Sequence, residues 1–191
     1  MAETLTFIRH TRTATGPGIC YGHSNVDLAP SAPDEMAGIL EKIKQYQPQL
    51  MVSSPLQRCT KLATFLENHY QLPFQLDDRI KETCFGEWEL KPWDEIKRSK
   101  LLEWTKSFET MPPPGGESFN MLLDRFDSFW KGIWENSANE IFVISHDGIL
   151  RSALVKALGL SARQVFSFTL PYGTAIRIKK IEAGFYAIQI L

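Results

Sequence analysis

The chain has 191 residues, with 21 Lys and Arg against 22 Asp and Glu for a formal net charge of −1; 43% of its residues are hydrophobic and 23% charged. That is the balance of one soluble globular domain, spanning residues 1–191, that buries its own core, and it excludes disorder, collagen and long coiled coils. A near-neutral total also excludes the strongly basic face of a dedicated nucleic-acid binder, so no nucleic-acid partner is expected.

Leu5-Thr6-Phe7-Ile8 is a short apolar run, partly β-branched and aromatic, that stops at Arg9-His10 and predicts a first strand ending in a polar turn. Ser31-Ala32-Pro33-Asp34 predicts a helix start with Ser31 as N-cap, followed by Met36, Ile39, Leu40 and Ile43 at helical spacing and closed by Pro48. Leu50-Met51-Val52 predicts a second strand. Ser53-Ser54-Pro55 opens a helix whose apolar positions include Leu62, Phe65 and Leu66. Residues 77–116 change character, with three of the five tryptophans and a closing Pro112-Pro113-Pro114-Gly115-Gly116 breaker; they read as an excursion covering the active site rather than a second domain. An amphipathic helix is expected from Ser118 to Trp134, with Trp130 and Trp134 in its packed stripe. Ile141-Phe142-Val143-Ile144 is the clearest buried strand, again ending in a polar turn, Ser145-His146-Asp147-Gly148, before a helix from Ile149 to Leu158. Thr174–Ile178 and Phe185–Ile190, flanking Glu182-Ala183-Gly184, predict a closing hairpin.

Cys20, Cys59 and Cys84 are too few and too scattered for a disulfide framework, and none form a C-x-x-C pair; small buried reduced thiols are expected. The first residues lack the basic and apolar regions of a signal peptide, and no apolar run is long enough to span a bilayer. These features predict cytoplasmic residence without a membrane partner.

Three strands that each break into Arg- and His-bearing polar segments carry the chemistry. In an open α/β sheet, ligands bind beyond the carboxyl ends of the strands, so Arg9-His10, Ser53-Ser54-Pro55-Leu56-Gln57-Arg58 and Ser145-His146-Asp147-Gly148 are expected to converge. Two guanidiniums, two imidazoles and nearby helix N-termini suit the paired oxygens of a phosphoryl group. A neutral histidine there can form a phosphoenzyme, and a carboxyl at the mouth can protonate the leaving oxygen and later activate water. Glu82 is the favoured carboxyl; Glu87, Glu89 and Asp147 are less so.

At these residues the chain resembles the histidine phosphatase superfamily (phosphoglycerate mutase-like), and within it the α-ribazole phosphatase branch. Phe7-Ile8-Arg9-His10-Thr11, Cys20-Tyr21-Gly22, Ser53-Ser54-Pro55-Leu56-Gln57-Arg58-Cys59, Glu82-Thr83-Cys84-Phe85-Gly86-Glu87-Trp88-Glu89, Pro114-Gly115-Gly116-Glu117-Ser118-Phe119 and Ser145-His146-Asp147-Gly148-Ile149-Leu150-Arg151 carry the likeness. The resemblance implies a three-layer α/β/α sandwich around a mostly parallel sheet. It also implies His10 as nucleophile, Arg9, Arg58 and His146 as holders of the phosphoryl oxygens, and Glu82 as general acid and base, with no metal or other cofactor. Thr15, Tyr21, Gly22 and Asp147 are further candidates for contact with a small phosphomonoester substrate, with Thr13 an alternative to Thr15. The chain departs from the family where Thr11 follows the nucleophile in place of the commoner Gly, where Gly16 stands at the position of an Asn, where Asp147 follows the second His, and where Leu90 replaces a Gly.

The reading is a phosphatase acting through a phosphohistidine, with α-ribazole 5'-phosphate of cobalamin biosynthesis as the finer expectation. The alternatives are phosphoglycerate mutase-type transfer and an inactive phospho-ligand binder. His23 is a candidate substrate contact, His69 a helix-end residue, and Trp88, Trp93, Tyr21 and Phe119 a conceivable aromatic wall.

Overall fold

The apolar runs predicted as strands are strands of the computed structural model, which describes residues 1–182 and 184–191. Six strands, β1 (Thr4–Arg9), β2 (Leu50–Ser53), β3 (Phe74–Leu76), β4 (Glu140–Ser145), β5 (Ala175–Glu182) and β6 (Phe185–Ile190), form one sheet in the order β3-β2-β4-β1-β5-β6. The β1/β4, β2/β4 and β2/β3 pairs are parallel; β5 runs antiparallel to β1, and β6 to β5. Parallel strands need crossovers, and helices α1 (Ala32–Ile43), α2 (Gln57–Tyr70) and α4 (Phe119–Trp134) lie on them, with α3 (Arg98–Ser107) before α4, while α5 (Asp147–Leu158) and α6 (Ala162–Val165) lead from β4 to the antiparallel β5.

Strand alternation sorts the core into two layers. Phe7, Ile141, Val143 and Ile176 face Leu122, Phe126 and Trp130 of α4 and Ile149 and Ala153 of α5. The intervening residues Ile8, Met51, Phe142 and Ile144 face Met36, Ile39 and Ile43 of α1 and Leu62 and Leu66 of α2. The result is the three-layer α/β/α sandwich around a mostly parallel sheet. Each large apolar side chain so buried contributes about 1.5–3 kcal/mol. An exposed ion pair such as Lys44 with Glu41, 2.6 Å apart, contributes at most about 1 kcal/mol, so the apolar alternation decides the layering. Trp130 and Trp134 pack edge to face at 5.4 Å and both meet Tyr186, so this pair is core as expected.

Several boundaries differ from the sequence reading. Ser31 has helical φ and ψ and makes no side-chain cap; its hydroxyl donates instead to Glu35 Oε1 at 2.7 Å, one turn on. Ser53 completes β2, and α2 begins only at Gln57, where Asn25 Oδ1 accepts from the Gln57 N–H at 3.0 Å. Helix α5 starts at Asp147, two residues early, whereas α4 begins within one residue of the expected Ser118, which is its N-cap and accepts from the Met121 N–H. Strand β3, with an exposed Gln75 and Leu76, and the short α6 lack a clear apolar period and were not expected. Ala183 of the predicted hairpin turn lies outside the described residues.

The 77–116 excursion contains an unpredicted helix, α3, and two single 3₁₀ turns, Asp78–Ile80 and Gly86–Trp88. Trp88, Ile96 and Cys20 form a small core of their own, joined by Phe85, Trp93 and Trp104. Cys20 and Cys59 are buried as expected, but Cys84 is only half-buried.

Candidate active site

Register brings the three polar segments together. Arg9 of β1 pairs with Ser145 of β4, and Ser53 of β2 with Ile144, so His10, Ser54 and His146 leave the sheet side by side at its carboxyl edge. The chain is tied as it leaves: the His10 and Ser54 N–H groups donate to the Ser145 and Ile144 carbonyls, both at 3.0 Å. The rings of His10 and His146 are 5.2 Å apart.

His10 Nδ1 donates to the Thr11 carbonyl at 2.7 Å, which fixes the proton on Nδ1 and leaves the Nε2 lone pair free. Burial first, and then the Arg58 and Arg9 charges, hold His10 well below the ordinary histidine range against the opposing Thr11 bond. The ring is therefore neutral at physiological pH, as a nucleophile must be. His146 Nδ1 accepts from Arg58 Nε at 3.2 Å, so its proton sits on Nε2, 2.8 Å from Ser54 Oγ. Burial and the Arg58 charge keep His146 neutral as well.

Arg58 is fully buried. It spends three of its five N–H donors on His146, the Ser24 carbonyl and the Gly22 carbonyl, leaving two for an anion. Arg9 donates Nη1 to the Leu170 carbonyl and lies 3.3 Å from Asp147 Oδ1, while its Nε is buried with no partner among the described residues. A buried unpartnered guanidinium donor costs stability unless a ligand completes it.

The remaining candidates divide. Asp147 is an acceptor held between Arg9 and Arg151, the latter at 2.7 Å, and so orients cations. Tyr21 stands beneath Arg58 at 5.2 Å, and its hydroxyl is 2.8 Å from Tyr172 and accepts from Thr13; Thr15 reaches the same group only through Thr13. Burial pushes the Tyr21 phenol up to about 12, so it remains a neutral hydroxyl. At Gly22 a Cβ would lie 2.0 Å from the Thr83 carbonyl, an approach no other residue permits. His23 Nε2 donates to the Glu82 carbonyl at 2.8 Å, and Glu89 ties residues 23, 24 and 85 together by accepting from their N–H groups. Trp88 and Trp93 pack in the excursion's own core, whereas Phe119 lines a cavity of about 420 Å³ with Phe85, Trp104, Phe108 and Phe166. Tyr172, with Arg9 stacked 4.3 Å over its ring and His10 5.6 Å away, was not anticipated. No local signal marks it: the Pro171-Tyr172-Gly173 turn lies at the site only because the β5 that follows runs antiparallel to β1.

Glu82 arrives from the excursion. Its carboxylate accepts from the Gly148 N–H at the start of α5, at 3.2 and 3.3 Å, and from the Thr83 N–H at 2.9 Å. Burial and the Asp147 charge raise its pKa above the usual glutamate value, more than the Thr83, Arg58 and Gly148 contacts lower it. A Cβ on Gly148 would lie 2.3 Å from Glu82 Oε1 and 3.2 Å from Thr83 Oγ1. Gly148→Ala should therefore displace a flexible side chain rather than backbone. Turnover should fall about 10- to 100-fold while thermal unfolding moves little, since alanine gains about 1 kcal/mol of helix propensity. Paired kcat and melting measurements check this.

The model of the histidine phosphatase superfamily (branch 1) matches residues 5–190. An adenosylcobalamin/alpha-ribazole phosphatase of Escherichia coli (strain K12) is 24% identical over 98% of this chain and 94% of its own length. A glucosyl-3-phosphoglycerate phosphatase of Mycolicibacterium vanbaalenii is 25% identical over 82% of this chain and 74% of its own. The crystal structure of the alpha-ribazole phosphatase from Shigella flexneri superposes with a TM-score of 0.89 at 22% identity, covering 98% of this chain and 95% of that one. The chain thus belongs to the histidine phosphatase superfamily, and with relatives named as phosphatases it stands among the phosphoric monoester hydrolases.

Proposed function

We propose that the protein hydrolyses a phosphomonoester through a phosphohistidine on His10, and that the ester is α-ribazole 5'-phosphate. The observation that carries the reaction is the neutral, buried His10 with Nδ1 capped and Nε2 free beside two guanidiniums. The Nε2 lone pair attacks phosphorus, and Arg9 and Arg58 hold non-bridging oxygens, joined by His146 once its Nε2–H turns from Ser54 Oγ to the phosphoryl group. As the bond to the leaving oxygen breaks, its electron pair stays on that oxygen, and Glu82 supplies the proton. The resulting carboxylate then takes a proton from water, whose oxygen attacks phosphorus and expels the His10 nitrogen, and inorganic phosphate leaves.

The aromatic cavity favours this substrate. Thr83, next to Glu82, forms part of its wall, and Phe85, Trp104, Phe108, Phe119 and Phe166 offer ring faces in a volume of the size common to small-molecule sites, about 300–1,000 Å³. Thr105, Glu117 and Arg163 add polar groups to the wall, but ring faces dominate it, so a flat benzimidazole base buries more apolar area there than phosphoserine or phosphoglycerate. Phosphate release measured side by side should give a kcat/KM at least about 10-fold higher for α-ribazole 5'-phosphate than for phosphoserine or phosphoglycerate, the preference that one well-buried ring confers. Equal values would reject the substrate, transfer between phosphoglycerate positions would make the protein a mutase, and binding without turnover would make it a phospho-ligand binder.

A further inference from the structure

We propose that Arg125, locked to Glu117, is a positioning residue for Glu82. The inference rests on the reading of Glu82 as proton donor. Residues 81–85 belong to no helix or strand, so their backbone groups have no ladder to bond to, yet the carboxyl they carry must meet the start of α5.

Arg125, on α4, meets this need with every donor it has. Its Nη1 donates to the Arg79 carbonyl at 2.8 Å and the Lys81 carbonyl at 3.0 Å, and its Nη2 to the Glu82 carbonyl at 3.2 Å. Nε and Nη2 fork onto the Glu117 carboxylate at 3.1 and 2.9 Å. These five bonds use all five guanidinium N–H groups, leaving none for substrate, so the role is structural support of a neighbour and not contact with the reacting atoms. Glu117 extends the grip by accepting from the Cys84 N–H at 3.0 Å, so the chain is held on both sides of Glu82 and Thr83. Burial pushes Glu117 up, but the Arg125 bonds and the Cys84 N–H hold it below the usual range, so it accepts these bonds as a carboxylate. The Glu82 carbonyl also accepts from His23, giving it a second anchor from the opposite loop. A lysine at 125 would keep the charge but could not fork onto Glu117 while reaching three carbonyls.

The test compares an alkyl phosphate, whose leaving oxygen needs a proton, with an aryl phosphate, whose leaving group departs without one. Arg125→Gln and Glu117→Gln, the latter the milder change should the former not fold, should each lower kcat on the alkyl ester about 10- to 100-fold more than on the aryl ester, with KM little changed. Arg125→Lys should restore only part of the loss. On a Glu82→Gln background, Arg125→Gln should cost nothing further on the alkyl ester. Equal losses on both esters, or losses that multiply in the double variant, would show general loosening of the fold and overturn the proposal. If Glu82→Gln itself shows no dependence on leaving group, the acid assignment falls and the clamp with it; if Glu82→Gln shows it and the Arg125 and Glu117 variants do not, the clamp alone falls.

Discussion

His10→Ala should abolish phosphate release from both alkyl and aryl esters, by at least about 10³-fold, while leaving the fold intact. That loss corresponds to about 4 kcal/mol of transition-state stabilisation. The neighbouring imidazole cannot take over: among the described residues His146 is the imidazole packed against His10, and its Nδ1 lone pair is committed to Arg58 Nε while its Nε2 proton faces Ser54. Alanine in place of a buried ring leaves a small cavity at the sheet edge, away from both apolar layers, so circular dichroism and melting should report a folded protein. Acid–base behaviour gives a second readout. Because burial and two guanidiniums depress the His10 pKa, the ring stays unprotonated to lower pH than a free histidine. The acidic limb of kcat/KM should then lie below about 6.5, the ordinary histidine value. Turnover surviving in His10→Ala, or an acidic limb at or above that value, would contradict the assignment.

What the sequence made legible was set by local signals with a single physical meaning. Strand runs ending abruptly in Arg9-His10 and His146-Asp147 placed both histidines at the sheet's carboxyl edge, because parallel pairing leaves no other edge for them. Arg58 was legible by its spacing behind Ser53-Ser54. Tyr172 was not, since its position depends on β5 entering antiparallel beside β1, and a tyrosine in a Pro-Tyr-Gly turn carries no mark of which strand it will meet. Arg125 was hidden for a related reason: on the helix it is one cation among a solvated face, and its meaning comes only from carbonyls of residues 79, 81 and 82, more than 40 positions away. Ser31 failed as a cap because Glu35, one turn on, competes for its hydroxyl. Asp147 was suggested as a phosphate contact by its place beside His146, yet at the first turn of α5 its carboxylate meets Arg151 one turn on and Arg9 across the sheet edge.

That position of Asp147 bears directly on the proton donor. Glu82→Gln should lower turnover of an alkyl phosphate about 10²- to 10⁴-fold, the range for general acid catalysis, and cost an aryl phosphate much less. Glutamine keeps the shape and can still meet the Gly148 N–H through its carbonyl, so the loss reports the missing proton and not a lost contact. With its pKa raised by burial and by Asp147, Glu82 keeps its proton to higher pH than a free glutamate, and the alkaline limb of kcat on the alkyl ester should mark its ionisation. The sign for a neighbour follows. Asp147→Asn removes a negative charge that opposes ionisation, so Glu82 loses its proton more easily and the alkaline limb moves to lower pH. The limb should vanish in Glu82→Gln and be unmoved by Asp147→Asn in that background. A limb that persists in Glu82→Gln would belong to another group and would transfer the acid role away from Glu82.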